Sequence, residues 1–152
     1  MIAPEALREF ALIAGRRAPR IIALVDAPSA SALRDRLPNA TFRELTSGAL
    51  GGPETADARF DLVVTEVDDG SDTILLATWA RRALARRGRL VAACAISAMP
   101  ELLAALSATG LVPKRLQLVH PDRAAPADLA LVQAISAKPG GLVVEAPLFR
   151  SP

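Results

Sequence analysis

Three nearly uninterrupted runs of apolar residues constrain the fold of this chain more than any other feature. They read RIIALVD at residues 20–26, FDLVVTEV at 60–67 and RLVAACAIS at 89–97. A strand buried on both faces gives this continuous pattern, whereas a strand with one solvated face alternates apolar and polar residues. The runs therefore predict neighbouring strands of a parallel sheet whose two faces are covered.

Amphipathic helix patterns alternate with these runs, because apolar residues recur there at i, i+3, i+4 and i+7. The predicted helices span residues 4–17, 29–37 and 72–87, with a fourth from Met99 to its terminator Gly110. A weaker strand is predicted at 40–46, and residues 47–58 (SGALGGPETADA) have the composition of a loop. Within the third helix, Asp72 suits the N-cap, and Arg86 and Arg87 suit the negative C-terminal end.

The last third of the chain changes character, because strands then follow one another. Residues 114–120 and 128–137 read as two strands joined by PDRAAPA, and 142–145 read as a third short strand. Alternating strands and helices followed by consecutive strands predict an α/β fold, with a mostly parallel sheet and an antiparallel edge. We expect residues 1–152 to form a single domain, since no linker or internal repeat interrupts the pattern.

Composition excludes several classes of protein. The net charge of +2 is too small to indicate nucleic-acid binding by itself, and the lone Cys94 excludes a disulfide framework. Cys94 lies within an apolar run and is expected to be an inert buried thiol. No apolar stretch reaches the roughly 20 residues of a membrane span. Glu5 and Glu9 stand where a signal peptide would need a basic start and an apolar core, so a cytoplasmic protein is expected.

The predicted sheet, with its closing antiparallel hairpin, resembles the Rossmann-like fold of class I S-adenosylmethionine-dependent methyltransferases. Asp26 lies at the end of IIALVD, where that family usually has a carboxylate for the ribose hydroxyls. FDLVV resembles the family's fourth strand, and ARRGRLVAACAI its following helix end and fifth strand. The resemblance implies that Asp26 is a cofactor-binding residue.

The tail carries a narrower resemblance, to the bacterial tRNA(Val) adenine-N6 methyltransferase group. That group tends to share a Val-His-Pro, a Pro-Ala turn, a Gly-Gly and a closing Pro-Leu. The matching positions here are Val119, His120, Pro121, Pro126, Ala127, Gly140, Gly141, Pro147 and Leu148. These residues are structural, so the match implies a fold and a nucleic-acid substrate class without supplying catalytic groups.

Three departures indicate a degenerate member of that superfamily. The family needs a first strand and a glycine-rich loop whose backbone approaches the methionine part of the cofactor, because a Cβ would block that approach. Upstream of Asp26 the only glycine is Gly15, so both elements are predicted to be missing and the chain to be N-terminally shortened. The first strand is normally central, and its loss would leave a gap that neighbouring strands must close.

The second departure concerns the catalytic motif. Adenine-N6 enzymes place Asn-Pro-Pro-Tyr after the fourth strand, where this chain has Glu66-Val67-Asp68-Asp69. Glu66 retains the ability to accept hydrogen bonds and is interpreted as a vestigial cofactor-site residue, but no aromatic ring is present to stack on a flipped base. The third departure follows the family's third strand, where Thr46 and Ser47 stand in place of the acidic residue that often binds the cofactor's adenine amine.

These departures lead to the hypothesis of a catalytically inactive, methyltransferase-like accessory subunit that binds no cofactor and no metal and acts through protein contacts. A protein partner or a second copy would dock on an exposed sheet edge. The alternative is an active S-adenosylmethionine-dependent methyltransferase acting on RNA adenine N6 or a small molecule. RNA binding is predicted, if anywhere, at the basic cluster of Arg81, Arg82, Arg86 and Arg87.

Each candidate functional residue also has an alternative role that is purely structural. Asp26 would equally cap the helix beginning at Ser29, and Asp72, flanked by the solvated Asp68 and Asp69, would cap a helix instead of holding a divalent cation. His120 is expected to be a hydrogen-bonded turn residue. The arginine cluster would equally form a solvated face at a helix end.

Overall fold

In the computed structural model, which describes residues 4–12 and 18–151, the chain forms one eight-stranded sheet with helices on both faces. The strands are β1 (Ile21–Val25), β2 (Thr41–Leu45), β3 (Phe60–Val67), β4 (Leu84–Ala95), β5 (Leu111–His120), β6 (Leu129–Ser136), β7 (Val143–Val144) and β8 (Leu148–Phe149). The α-helices are α1 (Pro4–Ala11), α2 (Leu33–Arg36), α3 (Thr73–Ala83) and α4 (Met99–Thr109).

The strand order confirms a mostly parallel sheet with an antiparallel hairpin. Neighbouring strands run β2-β1-β3-β4-β6-β5-β7, and β8 also pairs with β5. The first four are mutually parallel, whereas β6 is antiparallel to both β4 and β5. The three apolar runs form the adjacent strands β1 and β3 and the second half of β4, where most residues are buried.

The sheet is continuous at the position where a gap was expected. Strand β1 bonds directly to β3, with Ile22 opposite Leu62 and Val25 opposite Thr65. Strand β1 therefore closes the centre of the sheet. The carboxyl end of β1, with Asp26, is thereby brought beside the carboxyl end of β3, with Glu66.

Two hydrophobic clusters cover the faces of the sheet. Helices α3 and α4 cover one face, where Trp79, Leu102 and Leu106 are buried. Helix α1 and the segment 28–33 cover the other face, where Leu7, Phe10, Ala30 and Leu33 are buried.

Two of the predicted helices differ from those observed. The segment predicted as one helix over 29–37 is a 3-10 helix (Pro28–Ala32) followed by the single turn of α2. The helix predicted over 72–87 ends at Ala83, because Leu84 takes an extended conformation and pairs with Phe60 at the start of β4. Residues 84–88, including Arg86 and Arg87, therefore belong to a strand. The last residues of the helix predicted over 4–17, with Gly15, lie outside the described residues.

The antiparallel tail matches its prediction with small shifts. Strands β5 and β6 form the hairpin expected from 114–120 and 128–137, and β7 shortens the strand expected at 142–145 to two residues. Among the described residues, no helix is both long enough and apolar enough to cross a membrane.

Candidate functional site

An open cavity in the described structure lies at the carboxyl ends of the parallel strands. It has a volume of about 820 Å³ and a mainly apolar floor, to which Val25, Val67 and Ala93 contribute. In open α/β sheets, ligands bind outside the carboxyl ends of the strands. Its volume also falls within the range of roughly 300–1,000 Å³ that small-molecule sites occupy. This cavity is therefore the candidate site, and Asp26 and Glu66 both line it.

Asp26 joins the ends of two parallel strands. Its backbone N–H donates to the carbonyl of Leu45 at 3.1 Å, and its Oδ2 accepts from the backbone N–H of Ser47 at 3.0 Å. Its φ of 45° lies in the left-handed region, which aspartate tolerates better than most residues. The helix-capping role for Asp26 is wrong, because the carboxylate bonds to the loop after β2 while Ala27 caps the 3-10 helix.

Glu66 fastens the loop after β1 to the end of β3. Its Oε1 accepts from the Ser29 hydroxyl at 2.7 Å, and its Oε2 accepts from the Ser29 backbone N–H at 3.1 Å. Ser29 is buried and Glu66 half-buried, so water competes only in part for this paired contact. Both carboxylate oxygens are thus engaged within the chain.

The remaining acidic residues also bond locally. Asp72 is the N-cap of α3 and accepts from the Leu75 backbone at 3.0 Å, as its position in the sequence predicted. Asp68 accepts from the Gly70 backbone at 2.9 Å, and Asp69 accepts from the Ser97 hydroxyl at 2.9 Å. Within residues 4–12 and 18–151, no group of three or more metal-binding side chains converges on one point.

Two further candidates have structural surroundings. Burial in β4, with a smaller contribution from Asp69, raises the pKa of the Cys94 thiol to about 11, so the thiol stays protonated at neutral pH. This agrees with the expected inert thiol. His120 ends β5 with its Nδ1 2.9 Å from the carbonyl oxygen of Ala125, the contact of a turn residue.

The basic cluster lies at the opposite end of the sheet from the candidate site. Arg81 belongs to the last turn of α3, and Arg86 and Arg87 to the start of β4. These three line a second cavity of about 560 Å³. Arg82 instead faces the loop that contains Leu50 and Thr55. The structure thus brings together three of the four arginines that the sequence grouped.

The partners of the acidic residues were the part of the site that the sequence did not reveal. The sequence indicates Ser29 only as a helix start and Ser47 only as a replacement for a lost carboxylate. Each follows a strand of the parallel sheet by a few residues, which is the signal that could have placed them at this edge.

Similarity to solved structures bears on the fold. No family model and no curated protein sequence matches the chain. A predicted O-methyltransferase, Atu636 from Agrobacterium tumefaciens, superposes with a TM-score of 0.74 at 18% identity, covering 99% of this chain and 88% of that one. The glycopeptide N-methyltransferase MtfA, in complex with S-adenosylmethionine, gives 0.58 at 15% identity over 90% and 88%. A TehB-like methyltransferase from Corynebacterium glutamicum gives 0.52 at 14% over 79% and 83%.

These neighbours, together with the sheet order, define the class of fold. The chain has the Rossmann-like fold of the class I S-adenosylmethionine-dependent methyltransferases. At identities below 20% the likeness concerns the fold alone, and the narrower resemblance to the tRNA(Val) adenine-N6 group stays a prediction.

Proposed function

We propose that this chain is a methyltransferase-fold module that transfers no methyl group and acts through contacts with other macromolecules. The observation that carries the proposal is the paired hydrogen bond between Glu66 and Ser29. It ties the loop after β1 to the end of β3, at the edge where this fold class holds its cofactor.

The turn after β1 offers little to a ligand. In nucleotide-binding α/β folds, backbone N–H groups of such a turn bind the anionic part of the ligand, and glycine lets the backbone come close. Here Pro28 has no N–H, the Ser29 N–H donates to Glu66, and the Ala30 N–H donates to the carbonyl of Ala27 at 3.0 Å. No glycine lies between β1 and β2. A cofactor carboxylate would have to displace Glu66 to bind there.

The cavity itself favours a second candidate function. Its volume of about 820 Å³ leaves room for a small molecule, and Asp26 stands at its rim with a carboxylate suited to vicinal hydroxyls. An active S-adenosylmethionine-dependent enzyme, acting on RNA adenine N6 or a small molecule, would use this space. It would need a methionine-binding loop from another source.

Thermal unfolding in the presence of cofactor separates the two candidates. We expect no change in unfolding temperature with millimolar S-adenosylmethionine, S-adenosylhomocysteine or sinefungin. A binding protein would gain on the order of 2.7 kcal/mol at a hundredfold excess over its dissociation constant. An active class I methyltransferase is the positive control for the same ligands. A reproducible upward shift for this chain would reject the non-catalytic proposal.

We propose that residues 142–149 form the surface for macromolecular contacts. Of the large apolar side chains that are exposed among the described residues, Leu142, Val143, Val144 and Phe149 lie in one stretch. Two of them form β7, which bonds to β5 on one side and has no described strand on its other side. Exposed edges of this kind pair readily with another strand.

A further inference from the structure

The cavity between α3 and the start of β4 concentrates positive charge without a matching carboxylate. Arg81, Arg86 and Arg87 line it, and its other lining residues are apolar or small: Leu84, Ala85, Gly88, Leu111, Ile135 and Ser136. The ion pairs found in the described residues lie elsewhere and involve Arg8, Arg34, Arg115 and Arg150. All three lining guanidinium groups therefore lack an acidic partner in the part of the chain that the structure describes.

The segment that presents Arg86 and Arg87 has a defined backbone geometry. Between the pairs Phe60–Leu84 and Leu62–Arg89, a single residue of β3 faces residues 85–88 of β4, so this stretch bulges from the sheet. Arg87 sits at a φ of 67°, a conformation that costs a non-glycine residue roughly 1 kcal/mol or more. A Cβ at Gly88 would lie 2.9 Å from the carbonyl oxygens of Ala85 and Phe60. The bulge thus exposes two adjacent arginines and holds one of them, Arg87, in an unfavourable backbone conformation.

Helix ends offset only part of this charge. Helices α3 and α4 both end near the cavity, and Arg81 approaches Gly110 at the end of α4. Each helix C-terminus is equivalent to roughly half a negative charge. Two such ends leave about two of the three positive charges at the cavity uncompensated. That excess exceeds what helix-end stabilisation requires.

We propose that this cavity binds clustered phosphate groups. Guanidinium groups pair with phosphate oxygens in a bidentate manner, and two or three around one cavity match consecutive phosphates better than a single anion. None of the lining residues is aromatic, so no base would stack there and binding would not depend on sequence. The phosphates come either from an RNA backbone or from a free polyphosphate. The site is separate from the cavity at the carboxyl ends of the strands.

Fluorescence anisotropy with a labelled single-stranded RNA of about 20 nucleotides, and calorimetry with inorganic tripolyphosphate, test the site on the full chain. The double variant Arg86→Gln/Arg87→Gly removes two charges, and glycine suits the left-handed position. We expect affinity for the bound probe to fall about tenfold or more, and the slope of log affinity against log salt for RNA to fall by about 1.4. The variant Arg36→Gln/Arg123→Gln, which removes two exposed arginines elsewhere, is the charge-matched control and should change affinity by about twofold or less.

Each outcome decides the proposal. Salt-sensitive RNA binding that the first double variant alone weakens supports the site and identifies a nucleic-acid backbone as the source. Tripolyphosphate binding without RNA binding supports it with a free polyphosphate as the source. Absence of binding by both probes, or equal losses in the two double variants, would overturn it, since only general attraction to a basic protein would then remain.

Discussion

At the scale of single residues, the Glu66–Ser29 pair is the contact on which the proposal of a non-catalytic module rests. The change Ser29→Ala removes the 2.7 Å hydroxyl–carboxylate bond and leaves the backbone bond in place. Hydrogen bonds to charged groups are worth roughly 1.5–3 kcal/mol, less where water reaches them. We therefore expect the free energy of unfolding in urea to fall by about 1–2 kcal/mol.

The neighbouring serine supplies the control for that change. Ser31 lies two residues further along the same 3-10 helix and is exposed, so Ser31→Ala should change the free energy of unfolding by about 0.5 kcal/mol or less. Equal effects of the two substitutions would mean that the Glu66 contact does not hold the loops together. The loop after β1 would then be free to move away from Glu66, and a cofactor carboxylate could bind there without displacing a stabilising contact.

At the scale of a structural element, the bulge at the start of β4 requires a glycine at position 88 for lack of space, and its backbone would favour a glycine at position 87 as well. Gly88→Ala would place a methyl group against two backbone oxygens that cannot move independently, and we expect a loss of about 1–3 kcal/mol in stability. Arg87→Gly relieves the left-handed backbone but makes the unfolded chain more flexible, so stability should stay the same or rise by about 1 kcal/mol.

Arg86 is the matched comparison for that element. It lies in the same bulge without a positive φ, so Arg86→Gly should destabilise the protein by roughly 0.5–1 kcal/mol. Chemical denaturation of the three variants checks the set. If Arg87→Gly and Arg86→Gly lowered the midpoint equally, the backbone at Arg87 would not be strained as described.

At the scale of the whole molecule, the sequence predicted the architecture because each buried strand is a continuous run of apolar residues, which is visible without knowledge of the fold. The runs in β1, β3 and β4 are apolar whichever way the chain folds around them, and Gly110 ends α4 in the left-handed conformation as expected. The end of α3 was wrong because residues 84–87 have acceptable helix propensity, and only the pairing of Leu84 with the distant Phe60 decides their conformation. Likewise, the Glu66–Ser29 contact spans 37 residues of sequence and has no local signal.

The open edge at β7 leads to a prediction about assembly. Two copies related by a two-fold axis can pair the same edge with itself, which satisfies the exposed backbone and buries Val143 and Val144 from both copies. Sedimentation velocity should therefore show association that increases with protein concentration. Val144→Lys should shift the protein towards the monomer, because charged side chains block edge pairing. Ile74, which is similarly exposed on α3, provides the control, and Ile74→Lys should leave association unchanged. A protein that stays monomeric at every concentration, or that responds equally to both lysines, would contradict pairing through this edge.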